Sequence, residues 1–276
     1  MDDVARAVVP GHVTAFLAVE RGEDPTETGS TGAGICLDDG VTVGVRPARE
    51  TSVLLDGDPV DVPAVERVLD VLSVTAEVRA VTPLPIHSGF GVTGAMALGT
   101  ALAVNDLFER GLSENELASV AHGAEVQAGS GLGDVVSQTR GGVPVRLEAG
   151  DPHHGKLDGV PARGRIEYVA FGERDLEAVV GGDADRLAEP AQRALSRVVR
   201  EPTGDQLLYA ARTFAREADL LTDPVGRAVA DVGDAGGEAA VALPGESVFA
   251  LGTGLSDAGY DPSVCSIHPT GATLLE

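Results

Sequence analysis

Apolar and polar positions alternate along the first eighty residues, the period-two pattern of half-buried strands. Residues 6–20, RAVVPGHVTAFLAVE, predict a strand, a Pro-Gly break and a second strand, and residues 21–34 predict a loop ending in GSTGAG. ICLDDGVTVGV (35–45) predicts a hairpin turning at Asp39-Gly40, and TSVLLDGDPV (51–60) another turning at Asp56-Gly57. In VPAVERVLDVL (62–72) the period changes, and Val65, Val68, Leu69 and Leu72 fall on one face of a short helix. TAEVRAVTP (75–83) alternates again and predicts a strand. AMALGTALAVNDLF (95–108) is apolar on nearly every side, so this helix is expected to be central and buried. Ser113 and Glu116 make a capping box before ENELASVAHGAEVQ, whose core stripe is Leu117, Val120, Ala121 and Ala124. A second Gly-rich turn follows in AGSGLGDVVSQTRGG. VPVRLEAG and RIEYVAFG predict strands on either side of a polar loop at 150–164. Helices are expected at about 183–199 and 203–222, ahead of a β-rich, Gly-rich end. Strands cluster early and no βαβα alternation appears, which is the pattern of an α+β protein. The polar loop is the expected domain boundary, dividing the chain into 1–155 and 156–276.

HSGFGVTGAMALG (87–99) contains G-x-G-x-x-G from Gly89 to Gly94, a pattern shared by unrelated nucleotide sites. A dinucleotide-binding turn needs its first Gly directly after a strand. Here PLPIHS intervenes, Pro83 and Pro85 end any ladder, and Glu109 lies inside the next helix rather than at a second strand end. A protein-kinase glycine loop joins two strands and is followed by HRD and DFG; this string enters a helix and neither follows. A Walker A loop needs Gly-Lys-Ser/Thr, and the single lysine, Lys156, stands in HGKLD. Two meanings remain: a set of backbone N–H groups that binds an anion at a helix start, or a structural helix start alone. Thr93 sits where its hydroxyl caps the helix or touches a phosphate-bound metal. GSGLGD places Asp134 at the end of a flexible turn, nine residues after Glu125. Asp134 is suited to orient or deprotonate a hydroxyl nucleophile. Glu125 is suited to Mg²⁺, which takes one or two carboxylates plus phosphate oxygens. The structural alternatives are a turn cap for Asp134 and a solvated helix face for Glu125.

Composition narrows the partners. Hydrophobic content is 43% with 3% aromatics and no Trp, so the core must rest on Val, Leu, Ala and Gly. The net charge is −23, which opposes binding to nucleic acid and anionic membranes. Self-repulsion of that size is relieved by salt, since the Debye length falls to ~3 Å in molar salt. With one lysine among the basic residues, the surface suggests a halophilic protein. Cys36 and Cys265 lack C-x-x-C spacing and are expected to be small buried apolar residues. The start, MDDVARAV, has no basic segment, and no apolar run approaches the ~18 residues of a membrane span. A soluble, cytoplasmic protein is expected.

Three segments together resemble the GHMP kinases, the galactokinase, homoserine kinase, mevalonate kinase and phosphomevalonate kinase superfamily. They are VVPGHVTAFL (8–17), PIHSGFGVTGAMAL (85–98) and GSGLGDVVSQTRGG (129–142). The family's second motif usually reads P-x-x-x-G-L-G-S-S-A, and Pro85, Gly89, Phe90, Gly91, Val92 and Thr93 fall on it in order. The resemblance implies a two-domain fold: an N-terminal mixed β/α ATP-binding domain and a C-terminal ferredoxin-like α/β domain. It implies ATP binding by Pro85, His87, Ser88, Gly89, Phe90, Gly91, Val92, Thr93, Gly94 and Ala95. It further implies Mg²⁺ at Thr93 and Glu125, and Asp134 as the catalytic aspartate. PGH, GSTGAG, GFGVTGA and GSGLGD are similar to the archaeal branch that phosphorylates pantoate to 4-phosphopantoate on the route to coenzyme A. The candidate acceptor-binding residues are His12, Ser130, Arg140 and Arg146, the arginines because a guanidinium grips a carboxylate bidentately. Many family members carry another basic residue in place of His12, and the C-terminal Gly-rich motif is blurred to GGEAAVALPGESVFALG (236–252). The expected partners are pantoate and ATP, and a homodimer is compatible with this picture. Rival readings are another acceptor (homoserine, mevalonate or shikimate), a nicotinamide-dependent oxidoreductase, and a non-catalytic nucleotide-binding protein. His122 shares a helix face with Glu125 but lacks further metal ligands, and His153-His154 reads as an exposed pair.

Overall fold

A computed structural model describes residues 4–181 and 185–276. Strands β1 (Ala5–Glu20) and β2 (Gly29–Pro47) run antiparallel along nearly their whole length. The Pro-Gly break does not interrupt β1, and β2 passes through Asp39-Gly40 without reversing. The local turn signals mark a bulge instead: the register shifts between Pro10 and Gly11, and Pro10 lies opposite Gly40. A Cβ at Gly40 would meet the Val9 carbonyl at 2.4 Å, so glycine is needed there for close approach rather than for a hairpin. GSTGAG is likewise the buried start of β2, not loop.

The second expected hairpin is present. Strands β3 (Ser52–Leu55) and β4 (Asp58–Pro59) turn on Asp56 and Gly57, both at positive φ. Helix α1 (Pro63–Val71) buries Val65, Val68 and Leu69 as its period requires. Strand β5 (Ala76–Val81) pairs antiparallel with β2 and parallel with β3. Helix α2 (Val92–Leu107) is buried on every side from Gly94 to Val104 and packs on β1 and β2. Helix α3 (Glu114–Ala128) starts at the Ser113–Glu116 capping box. Its buried face is wider than the apolar stripe and takes in His122 and Glu125, while Val120 is only half-buried.

The second Gly-rich turn is part helix, α4 (Asp134–Arg140). Strand β6 (Val143–Glu148) follows, and the expected polar loop contains β7 (Lys156–Val160), paired antiparallel with β6. In β7 exposed Lys156 and Asp158 alternate with half-buried Leu157 and Gly159, and the strand ends on buried Val160. The remaining elements are β8 (Arg165–Gly172), α5 (Leu176–Val180), α6 (Asp185–Arg200), α7 (Gly204–Glu217), α8 (Asp223–Asp234), β9 (Ala239–Ala242), β10 (Glu246–Leu251), α9 (Gly254–Asp257), β11 (Ser263–Ser266) and β12 (Thr273–Leu275). The expected helix start at 183 and the first three residues of MDDVARAV lie outside the described residues.

Two sheets result. The first has the order β12-β1-β2-β5-β3-β4, with β6 on β2 and β7 on β6. The second is antiparallel with the order β11-β8-β10-β9. Counted within its own β8–helices–β9–β10–α9–β11 segment, that order is fourth, first, third, second, the ferredoxin-like arrangement. The architecture is therefore the expected two-part α+β fold. Helices α6 and α7 also pack on β1, and the bridges Thr14–Leu243 and Leu37–Ile267 join the two parts. Among the described residues no helix is long and apolar enough to cross a membrane.

Candidate active site

The Gly-rich string forms a turn that leads into α2. Gly91 is the N-cap in the left-handed conformation (φ 63°), and His87 and Gly89 also have positive φ. A Cβ at Gly89 would lie 2.4 Å from the Ala242 carbonyl, so this turn is wedged against β9. Its carbonyls are held from four directions. His87 O accepts from Arg174 N (3.0 Å) and Phe90 O from His12 N (3.0 Å). Ser88 O accepts from Ser247 Oγ (2.7 Å) and Gly91 O from Gln138 Nε2 (2.9 Å). By contrast, the N–H groups of Gly89 to Gly94 make no hydrogen bond among the described residues. With four of its carbonyls engaged and these N–H groups unpartnered, the turn lines a cleft of about 400 Å³. That is the arrangement an anion needs.

Asp134, the first residue of α4, lines the same cleft. His12 Nδ1 lies 2.6 Å from Asp134 Oδ1. His12 is fully buried beneath Asp134, so it supports the aspartate and does not itself reach the cleft. Burial pulls the imidazole pKa down, outweighing the carboxylate beside it. A neutral ring with Nδ1–H donating to Asp134 satisfies this geometry. Its other nitrogen, Nε2, is buried without a partner against Gly34, where a Cβ would approach to 2.3 Å.

Glu125 lies below the turn, 1% exposed, and so is not on a solvated helix face. Thr93 Oγ1 donates to Glu125 Oε1 (2.9 Å), and the Ser130 hydroxyl lies 3.3 Å from the same oxygen. Glu125 Oε2 is buried with no partner. Two glycines make room for it: a Cβ at Gly131 would lie 2.1 Å from Oε2, and one at Gly94 would lie 2.9 Å away. Burial first, and the charge of Asp134 second, push the Glu125 carboxyl up to about 8. An orphaned carboxylate oxygen in a glycine-walled space, close to a second carboxylate, fits a cation bound with phosphate. Among the described residues no group of three or more His, Cys, Asp or Glu is arranged for a metal, so such a cation would take further ligands from phosphate and water.

The other expected site residues divide by position. His87, Gly89, Phe90, Gly91, Val92, Thr93 and Ser130 line the cleft. Pro85, Ser88, Gly94 and Ala95 do not; the Ser88 hydroxyl turns to the Ile86 carbonyl (3.2 Å). The Phe90 ring packs on Tyr168 of β8, centroids 4.8 Å apart, so only its backbone serves the turn. Arg140 is exposed and lies over Gly159 of β7, away from the cleft. Arg146 is buried behind Asp134. Its Nε donates to Ser30 O (3.1 Å), its Nη2 to Ser30 Oγ (3.3 Å) and its Nη1 to Ser137 Oγ (2.8 Å). It has no ion pair among the described residues. The sequence pattern had not marked Ser30, Ser137, Asp61 or Arg174 as site residues. Of these, Ser30 and Ser137 stand in motifs of the sequence, GSTGAG and GSGLGDVVSQTRGG, and Asp61 and Arg174 in none.

The family model "GHMP kinases N terminal domain" matches residues 62–142, which span α1 through α4. The chain is 32% identical over 231 residues to a pantoate kinase of Thermococcus kodakarensis, covering 78% of this chain and 76% of that one. It is 28% identical over 223 residues to a pantoate kinase of Methanocaldococcus jannaschii, covering 78% and 81%. Its structure superposes with a TM-score of 0.87 and 26% identity on a "Phosphotransferase related to CoA biosynthesis pathway", over 99% of this chain and 98% of the other.

Proposed function

This chain belongs to the pantoate kinase family within the GHMP kinases, and from that premise we propose that it transfers the γ-phosphoryl group of ATP to the 4-hydroxyl of (R)-pantoate, giving (R)-4-phosphopantoate for coenzyme A synthesis. The observation that carries this reading is the cleft in which donor-only backbone, the Thr93–Glu125 pair and the His12-supported Asp134 converge. The free N–H groups of the turn hold phosphate oxygens. Thr93 and Glu125 hold Mg²⁺, which when bound neutralises charge on the phosphates. Asp134 orients the acceptor hydroxyl and takes its proton. His12 occupies Oδ1, which leaves Oδ2 to face the hydroxyl. Phosphoryl transfer asks mainly for positioning and charge stabilisation, so these groups suffice.

Of the two candidate arginines, Arg146 is the better match for the pantoate carboxylate. It is a buried cation that feels the charge of Asp134 and gives its hydrogen bonds only to Ser30 and Ser137, whereas Arg140 lies over β7. Its hydrogen-bond partners are all neutral, so an incoming carboxylate adds to the compensation that Asp134 provides. Ser130 stands at the cleft edge, placed to hydrogen-bond the acceptor. The reaction takes place among soluble small molecules, in a cytoplasm rich in salt.

The test is an ADP-release assay with ATP and Mg²⁺ at high KCl, using pantoate, homoserine, mevalonate and shikimate as acceptors. Pantoate is expected to give ADP in one-to-one proportion with phosphorylated product. ADP formed with another acceptor and none with pantoate would overturn the assignment, as would pantoate-dependent NAD(P)H oxidation without ADP.

A further inference from the structure

One side of the cleft comes from the second part of the fold, through the loop joining β8 to α5. Arg174 stands in that loop. Its backbone N–H donates to the His87 carbonyl at 3.0 Å, which fastens the loop to the Gly-rich turn. Its side chain lines the same cleft as Gly89, Gly91 and Thr93. The guanidinium makes one long contact, Nη1 to the Leu220 carbonyl at 3.4 Å. It forms no ion pair among the described residues, although Asp175 and Glu177 line the cleft beside it.

The charge balance of the cleft makes this residue stand out. Among its described lining residues Arg174 is the only Arg or Lys, while Asp61, Asp134, Asp175 and Glu177 are all carboxylates. The whole chain carries a net charge of −23. A triphosphate entering this space meets carboxylates on several sides, and the turn amides offer only partial positive charge. A full positive charge from the protein, beside that of the Mg²⁺, lowers this repulsion. Guanidinium supplies it in a planar fork that matches phosphate oxygens bidentately.

We propose that Arg174 is the phosphate-binding cation of the nucleotide site, meeting the triphosphate from the part of the cleft wall that the second sheet's loop supplies. The assignment rests on the kinase reading above and adds to it a residue outside the family's three motifs. It also makes nucleotide binding a link between the two parts of the fold, because the loop that carries Arg174 is tied to His87.

The experiment compares wild type, Arg174→Gln and Arg174→Lys by calorimetric titration with ATP and with AMP, and by steady-state kinetics, all at one fixed KCl concentration. Loss of charge-assisted hydrogen bonds to phosphate is expected to weaken ATP binding about 10- to 100-fold in Arg174→Gln. AMP affinity and the KM for pantoate should stay within about twofold, and Arg174→Lys should recover part of the loss. Unchanged ATP affinity in Arg174→Gln would overturn the proposal. So would a rise in the pantoate KM alone, which would make Arg174 an acceptor-binding residue, or equal weakening of ATP and AMP, which would make its role structural. The two readings fail separately. A wild type that turns over no acceptor refutes the kinase assignment, while the ATP-against-AMP titration still decides the role of Arg174.

Discussion

Asp134 and Glu125 are close carboxylates with different surroundings, and the difference suits the tasks proposed for them. Asp134 opens to the cleft and is held by one N–H from His12; Glu125 is sealed in with one oxygen unpartnered. Asp134→Ala is expected to lower kcat by ~10² to 10⁴, the usual contribution of a positioned base, with ATP affinity retained. Turnover equal to wild type would remove Asp134 from the mechanism. Glu125 gives a prediction for stability. Its carboxyl sits at about 8 in the fold against an ordinary 4.5. Below the ordinary value it is protonated whether the chain is folded or not, and it costs nothing. As pH rises from there toward about 8 the unfolded chain ionises first, so folding is penalised progressively. Glu125→Gln removes that penalty. In EDTA the variant should melt above wild type by a margin that widens between about pH 5 and about pH 8, and Mg²⁺ with ATP should stabilise wild type more than the variant. A margin independent of pH would contradict this account of the buried carboxyl.

Elements were legible wherever a periodic pattern buried one face. Helix α1, helix α2 and the capped start of α3 follow directly from the sequence. The misreadings share one cause: Gly, Pro and Asp mark local geometry, and the same residues serve a turn, a bulge or a close approach. Asp39-Gly40 therefore looked like a hairpin and is a bulged stretch of β2, whereas Asp56-Gly57 is a true turn. The polar segment that hides β7 misled because a five-residue, half-exposed strand has little apolar signal. Two glycines at positive φ separate strain from function. Gly89→Ala adds a contact of 2.4 Å with the Ala242 carbonyl and displaces the turn. It should cost ~1–3 kcal/mol in thermal unfolding and weaken ATP binding as well. Gly111→Ala, at φ 71° with nothing within 4 Å, should cost stability through backbone strain alone and leave kinetics unchanged. Equal kinetic damage from both variants would show that the turn's position is not what binds ATP.

At the scale of the whole molecule the two sheets meet at the site. Phe90 packs on Tyr168, whose hydroxyl donates to Asp39 Oδ2 (2.8 Å), and β12 returns from the end of the chain to pair with β1. The Gly-rich turn is therefore braced by residues distant in sequence. The net charge of −23 acts at this scale too. Raising KCl from about 0.1 M to about 2 M should raise the melting temperature as screening removes self-repulsion. Circular dichroism and melting temperature unaltered across that range would count against a halophilic protein.

The sequence by itself determined the period of the main helices, the α+β class, the Gly-rich turn ahead of α2 and the choice of Glu125 and Asp134 as candidate groups. Those depend on local spacing, which the chain carries along its length. Only the tertiary structure decided that His12 is a buried support, that Arg146 and not Arg140 stands behind Asp134, and that Arg174 faces the turn. Each of those depends on contacts between segments far apart in the chain. Burial and charge balance arise from such contacts, and residue type and spacing do not encode them.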